Sequence, residues 1–173
     1  MQMVKKIFIA VILVWFVLIV FMPKQEIYYK LEQSLAKNDI RLNEEKIDEG
    51  WFSLTLHKVD VYIKGIKLAT IDEVNFFTLL FYTHVEVENL LLDESLKSKV
   101  PTDISDAVAS HSILTPLKVN LNVEGSFGGA SGYINIKEKS IHLDLNNTSV
   151  KGIEMLQSVL QKNEKGWYYE TSF

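Results

Sequence analysis

A glycine cluster in the second half of the chain has a spacing that could indicate phosphate binding. GSFGGASG holds four glycines, at Gly125, Gly128, Gly129 and Gly132. Glycine-rich loops hold phosphate groups where a strand leads into a helix, and their fingerprints are G-K-[ST] or G-x-G-x-x-G. This cluster has neither pattern, and the strand-like YINI follows it. The sequence therefore predicts that these glycines let a sheet bend, and that they do not bind a nucleotide.

The histidines and the absence of cysteine argue against a metal centre. His57, His84, His111 and His142 lie far apart, and no pair has a ligand spacing such as H-x₃-H. The chain has no cysteine, which excludes disulfides, thiolate nucleophiles and Cys-type zinc sites. We predict no metal site and no cofactor.

Three other groups of reactive side chains have plain structural explanations. Glu86 and Glu88 in VEVE alternate as the solvated side of a strand does. His111 and Ser112 lack the G-x-S-x-G turn of a hydrolase nucleophile. The aromatic run that begins at Trp167 is typical of a core edge or a lipid interface. No catalytic residue is predicted, and the chain is predicted not to be an enzyme.

The N-terminal segment is strongly apolar. Ile7 to Met22 reads IFIAVILVWFVLIVFM, sixteen apolar residues between Lys6 and Lys24. As a helix it is about 24 Å long, close to the bilayer core of about 30 Å. A cleaved secretory signal has the same pattern, but FMPKQEIYYK contains no A-x-A-like site. These features predict an uncleaved anchor, with a cytoplasmic tail at 1–6, a transmembrane helix at 7–22 and a translocated β-rich domain at 23–173.

The remaining chain alternates as strands do. QEIYYKLEQSLAKND has helical spacing and predicts a helix that covers a sheet, with a helix on a lipid surface as the alternative. WFSLTLHKVDVYI alternates but slips by one residue near His57 and Lys58, which predicts a bulge or bend. Lys64 and Gly65 predict a turn, and THVEVENLLL predicts another strand. DEVNFFTLLFY fits either a short helix or a continued strand.

The second half predicts a three-strand meander. Residues 93–116 break the alternation and predict a loop, with room for a short helix around Ile104–Ala109. LKVNLNVEG, YINI and IHLDL alternate again, a helix is predicted from Val150 to Gln161, and GWYYETSF predicts a last strand. The predicted fold class is α+β and β-rich, with one N-terminal transmembrane helix, a strongly curved antiparallel sheet and one or two covering helices.

The alternating strands also predict an apolar binding surface. One side of the sheet is expected to form a groove for a partner or an apolar ligand. Its predicted residues are Phe52, Leu54, Leu56, Leu117, Val119, Leu121 and Val123. From Pro23 onward the chain has 16 basic and 22 acidic residues, so a general attraction for nucleic acid is not expected.

The order of these segments resembles a known group of proteins. LEQSLAK, FSLTLHKVDVYIKGIKLATIDEVNF, VEVENLLL and VNLNVEGSFGGASGYINIKEKSIHLDL are similar to segments of the type II secretion system protein N family and the wider AsmA-like group. The resemblance covers roughly residues 7–145. It implies a bacterial inner-membrane protein with a cytoplasmic N-terminus and a periplasmic, curved sheet. It carries over no catalytic residue.

Two functions are compatible with these expectations. The first is a non-enzymatic interaction subunit, anchored at the membrane, that contacts envelope or secretion-system proteins through sheet edges or the groove. The second is a lipid-binding or lipid-transfer module of AsmA-like type that uses the apolar groove. Bound lipid would favour the second function, and cross-linked partner proteins without lipid would favour the first.

Overall fold

A computed structural model describes residues 2–21, 23–79, 81–96, 103–146, 148, 154, 156–157, 159–164 and 166–173. The described residues form two helices and one antiparallel sheet of ten strands. The helices are α1 (Gln2–Val20) and α2 (Lys24–Ala36). The strands are β1 (Ile40–Glu49), β2 (Ser53–Ile63), β3 (Ile66–Leu79), β4 (Tyr82–Leu92), β5 (Asp103–Ser112), β6 (Lys118–Gly125), β7 (Gly128–Asn135), β8 (Ser140–Asn146), β9 (Gln161–Asn163) and β10 (Gly166–Ser172).

The sheet is a meander, because nearly every strand pairs with the next one in the chain. The order is β1-β2-β3-β4-β5-β6-β7-β8-β10-β9, with only the last two strands exchanged. Short turns make this order possible. Lys64 and Gly65 both have positive φ, 52° and 79°, which is the type I′ geometry that joins two twisted strands through two residues. The turn predicted at these residues is confirmed.

Helix α2 covers one end of the sheet and completes the core there. Tyr28 of α2 is 3 % exposed and packs with Leu54, Leu56, Val59 and Ile71 of β2 and β3. The Tyr28 hydroxyl donates a 2.8 Å hydrogen bond to Glu44 Oε2 on β1. The predicted covering helix is therefore present, and its buried face consists mainly of one tyrosine.

The alternation of side chains slips by one residue on each of the strands β1 to β5, where one residue per strand is left out of the ladder pairing. Leu56 and Val59 are three residues apart, yet both are buried on the same side of β2. Between them, Lys58 has a φ of 51°, and Asn89 on β4 also has a φ of 51°. A left-handed residue turns the following side chains to the other face, so the hydrophobic sets on both sides of the slip face α2. The irregularity predicted near His57 and Lys58 is present as this left-handed residue, and a register shift against β3 follows between Val61 and Tyr62.

The predicted transmembrane helix is wrong, and so is the predicted placement as a single-pass protein of the bacterial inner membrane. No helix among the described residues combines the length and apolarity that a membrane crossing requires. Helix α1 ends at Val20, and its uninterrupted apolar part after Lys6 has fourteen residues. That part is about 21 Å long, against a hydrocarbon core of about 30 Å.

Two other segments differ from their predictions or fall outside the description. The predicted loop at 93–116 contains a full strand, β5, in place of the short helix for which the sequence leaves room. In DISDAVASHS only Ile104 and Val108 favour a strand, among small and polar residues, and pairing with β4 and β6 decides its structure. The ambiguous DEVNFFTLLFY segment continues β3 as far as Leu79. Half of the helix predicted at 150–161 lies outside the described residues; Glu154 and Leu156 are helical, and Gln161 already belongs to β9.

Candidate functional site: an apolar face of the sheet

The strand register places mostly apolar residues from distant parts of the chain in two rows. One row joins β2 to β10 through Leu54, Phe76, Val85, Ala109, Leu121, Gly132, Leu143 and Tyr169. The neighbouring row joins β2 to β8 through Leu56, Val74, Val87, Ala107, Val123, Ala130 and Leu145. Directly paired residues point to the same side of a sheet, so these rows define one apolar face.

Helix α2 covers this apolar face only at its first strands. Its close contacts within the described residues are with β1 and β2, and the other closely packed pairs of elements are neighbouring strands. Leu54 and Leu56 are therefore buried, whereas Val85, Leu121 and Leu143 are only partly buried. The part of the face that runs from β4 to β8 carries no charged side chain in either row.

The opposite face is polar and holds His57 and His142 in ionic clusters, whereas His111 lies on the apolar face in register with Val119. His57 Nε2 lies 3.0 Å from Asp48 Oδ2 and its Nδ1 lies 3.3 Å from Glu73 Oε2. The Lys46 ammonium, 2.6 Å from Asp48, lowers the pKa of that carboxyl. At the other side of the sheet, His142 Nε2 lies 3.3 Å from Asp144 Oδ1. These ion pairs are typical of a solvated sheet face. Glu86 and Glu88 are predicted to lie on such a face.

The structure places the seven predicted groove residues in three different settings. Leu54 and Leu56 lie in the core beneath α2. Val119, Leu121 and Val123 lie on the same face four strands away, beyond the reach of α2. Leu117 is an exposed residue before β6, and Phe52 packs on Phe16 of α1, with ring centroids 5.7 Å apart. One continuous face connects these residues, and α2 occupies its first part.

The four predicted sheet-bending glycines lie in the hairpin of β6 and β7. Gly125 pairs with Gly128, which has a φ of 116°, so the chain reverses through Ser126 and Phe127. A side chain on Gly132 would collide with the carbonyl oxygen of His142 and would come within 2.8 Å of Leu143 Cα. The backbones of β7 and β8 thus approach closely, and a strand, not a helix, follows the cluster.

Several residues of the apolar face escaped prediction because their strands carry weak signals. Ala107 and Ala109 lie on β5, which the sequence favoured as a loop. Ala130 lies among the glycines of β7. The alternation signal is absent here, since apolar Val108 stands between Ala107 and Ala109. Alanine does not by itself favour a strand, so only its neighbours identify it as part of this face.

The buried Tyr28 makes the stability of the fold depend on pH in the alkaline range. Burial raises the pKa of its phenol, and the hydrogen bond to Glu44 and the carboxylate charge raise it further. An unfolded tyrosine loses its proton near pH 10, whereas the folded chain retains this proton at higher pH. Stability should therefore fall as pH rises above about 10, by up to about 1.4 kcal/mol per pH unit from this group. The Tyr28→Phe variant lacks the ionisable group, so urea titrations from pH 9 to 11 should show a shallower loss; equal slopes would contradict the assignment.

The comparisons and the described side chains assign no family and no metal centre. No protein-family model, no curated protein and no solved structure matches the chain. The described ranges also contain no group of three or more His, Cys, Asp or Glu side chains placed to hold a metal ion. The resemblance to the type II secretion system protein N family, and the expectation of a non-enzymatic protein, stay predictions.

Proposed function

We propose that the protein binds the hydrocarbon chain of a lipid on the part of the apolar face that lies between β4 and β8. The observation that carries this proposal is the pair of uncharged rows that continue past the cover of α2. Val87, Ala107, Val123, Ala130 and Leu145 make up this part of one row without a hydrogen-bonding side chain. Such a surface offers burial to an apolar ligand and no polar anchor to a peptide backbone.

The dimensions of this part of the face suit an acyl chain. Five strands at a spacing of about 4.8 Å span about 19 Å from β4 to β8. A bilayer core of about 30 Å is two acyl chains deep, so each chain occupies about 15 Å. An acyl chain of the length that it occupies in a bilayer therefore fits across this part of the face.

Small side chains on β5 leave room for such a ligand. Ala107 and Ala109 are half-buried and lie between the larger residues of β4 and β6. The corresponding alanine of β7, Ala130, is only 6 % exposed and offers no such room. The face therefore has one low strip, along β5, and hydrocarbon in this strip gains contacts on both sides.

The proposal is tested by titrating the purified full chain with a fluorescent stearate and competing it with palmitate. Leu121→Asp places a carboxylate in the centre of the face and removes a buried leucine contact. We expect the dissociation constant to rise about tenfold or more, because burial of one leucine side chain contributes about 1.5–3 kcal/mol.

The matched control for this titration is Asn122→Asp. It adds the same charge to the adjacent residue of β6, but on the polar face. It should bind stearate as the wild-type chain does. Equal binding by both variants, or no binding by the wild-type chain, would refute the proposal. Circular dichroism checks that both variants remain folded.

The predicted role as an interaction subunit of a secretion assembly is the second candidate. The feature that favours it is the outer edge of β1, a ten-residue strand whose outward side pairs with no described strand. Exposed edges accept an added strand from another protein. Lipid in the mass spectrum of the purified chain supports the first candidate, whereas cross-linked protein partners without lipid support the second.

A further inference from the structure

One end of the sheet carries a row of exposed apolar side chains, which we call the rim: Trp51, Phe81, Leu114, Ile136 and Phe173. They come from alternate connections of the meander and from the last residue of the chain. Antiparallel strands joined in sequence bring alternate connections to the same end of a sheet. The most exposed of the five is Leu114, at 89 %.

Backbone hydrogen bonds hold these segments next to one another. Ile113 N–H donates to the Phe81 carbonyl at 2.9 Å, and Ile136 N–H donates to the Leu117 carbonyl at 2.8 Å. Phe173 N–H donates to the Lys139 carbonyl at 2.9 Å. The rim is therefore one continuous surface. Between Phe81 and Leu114 it contains a shallow apolar cavity of about 330 Å³.

The rim is continuous with the apolar face. Leu117 and Ile136 extend the alternation of β6 and β7 and so lie on the same side of the sheet as Leu121 and Ile134. Both are about half exposed. A hydrocarbon chain on the apolar face thus reaches the rim without crossing a polar side chain on these two strands.

The charges beside the β6–β8 part of the rim are mainly basic, although the whole chain is acidic and Glu49, paired with Lys24, lies near Trp51 at the other end. Lys118, Lys137 and Lys139 lie at the adjoining ends of β6, β7 and β8, and Glu138 is the acidic residue among them. The chain as a whole has a formal charge of −4. Glu138 is held by a 2.8 Å hydrogen bond from Asn135 Nδ2. Exposed apolar tips with lysines behind them match the interface of an anionic lipid layer.

We propose that the rim docks the protein on a lipid surface, from which an acyl chain passes to the apolar face. This inference rests on the proposed function, because a lipid-binding face needs access to lipids that do not dissolve in water. The contact is made by loop side chains that enter the lipid interface, with aromatic residues at headgroup depth. A second protein is a poorer match, since protein interfaces also pair polar groups and the rim offers few.

The test is flotation of the full chain with phosphatidylcholine vesicles, with and without phosphatidylglycerol. Leu114→Glu should lower the partition onto vesicles about tenfold or more, because a charge would replace the leucine side chain that enters the lipid. The control is Ile66→Glu, which places the same charge on a side chain 62 % exposed in the turn of β2 and β3, at the opposite end of the sheet. It should float like the wild-type chain, and phosphatidylglycerol should strengthen binding in a salt-dependent way.

The outcomes separate this inference from the proposed function. Leu114→Glu should retain stearate binding in solution, whereas Leu121→Asp should lose it and still float with vesicles. Wild-type flotation by Leu114→Glu would assign lipid contact to another part of the chain and overturn the inference. Loss of flotation in both Leu114→Glu and Ile66→Glu would overturn it as well, because binding would then not depend on the rim.

Discussion

Replacing Tyr28 by alanine is expected to lower the free energy of unfolding by about 3–5 kcal/mol, the usual cost of removing a buried aromatic side chain. Tyr28 is the residue of α2 that enters the core between β1, β2 and β3. Without its ring, Leu56 and Val59 would border a cavity, and the carboxylate of Glu44 would lose its 2.8 Å hydrogen bond. Urea unfolding followed by circular dichroism measures the change.

The control for this prediction is the next residue in the same helix. Tyr29 has the same side chain but is 49 % exposed. Tyr29→Ala should therefore change the free energy of unfolding by less than about 1 kcal/mol, because surface substitutions have small effects. If Tyr28→Ala were as mild as Tyr29→Ala, α2 would not be an essential cover of the sheet.

Replacing Gly132 by valine should destabilise the sheet by about 3 kcal/mol or more. Its Cβ would overlap the carbonyl oxygen of His142, and backbone atoms cannot move aside as a flexible side chain does. Overpacking commonly costs about 1–3 kcal/mol, and a clash with the backbone of a paired strand lies at the upper end of that range or beyond it. The same urea titration measures the loss.

Gly129 on the same strand is the matched control. A Cβ there would meet Asn146 O at 3.5 Å, an ordinary contact distance. Gly129→Ala should therefore be nearly neutral, or slightly stabilising because alanine restricts the unfolded chain. Equal damage from Gly129→Ala and Gly132→Val would show that neither of these two glycine positions of β7 accepts a side chain. The close approach of β7 to β8 would then not explain the glycine.

The apolar face and the rim give the molecule two surfaces with separate tests. Val123 and Leu145 lie in the part of the rows beyond α2, whereas Leu114 and Trp51 project from connections at the strand ends. Although the two surfaces meet at Leu117 and Ile136, the substituted residues Leu114 and Leu121 lie on different ones. Flotation and stearate binding therefore report on them separately.

The sequence alone determined most strands and turns, because local patterns encode them. The alternation of Leu117 to Val123 predicted β6, the slip at Lys58 predicted the irregularity in β2, and Lys64-Gly65 predicted a turn. Each of these depends on residues a few positions apart, whose side chains reveal which face they occupy. The prediction of a transmembrane helix at residues 7–22 failed, because a run of apolar residues does not by itself determine where a helix ends.

The tertiary structure alone decided which parts of the apolar face are covered and which residues join it. Leu54 and Leu121 carry the same pattern in the sequence, yet one lies beneath Tyr28 and the other does not. Strand β5, with its small alanines, belongs to the face only because β4 and β6 pair with it. Burial and pairing are properties of residues that are distant in the chain, so no local pattern contains them.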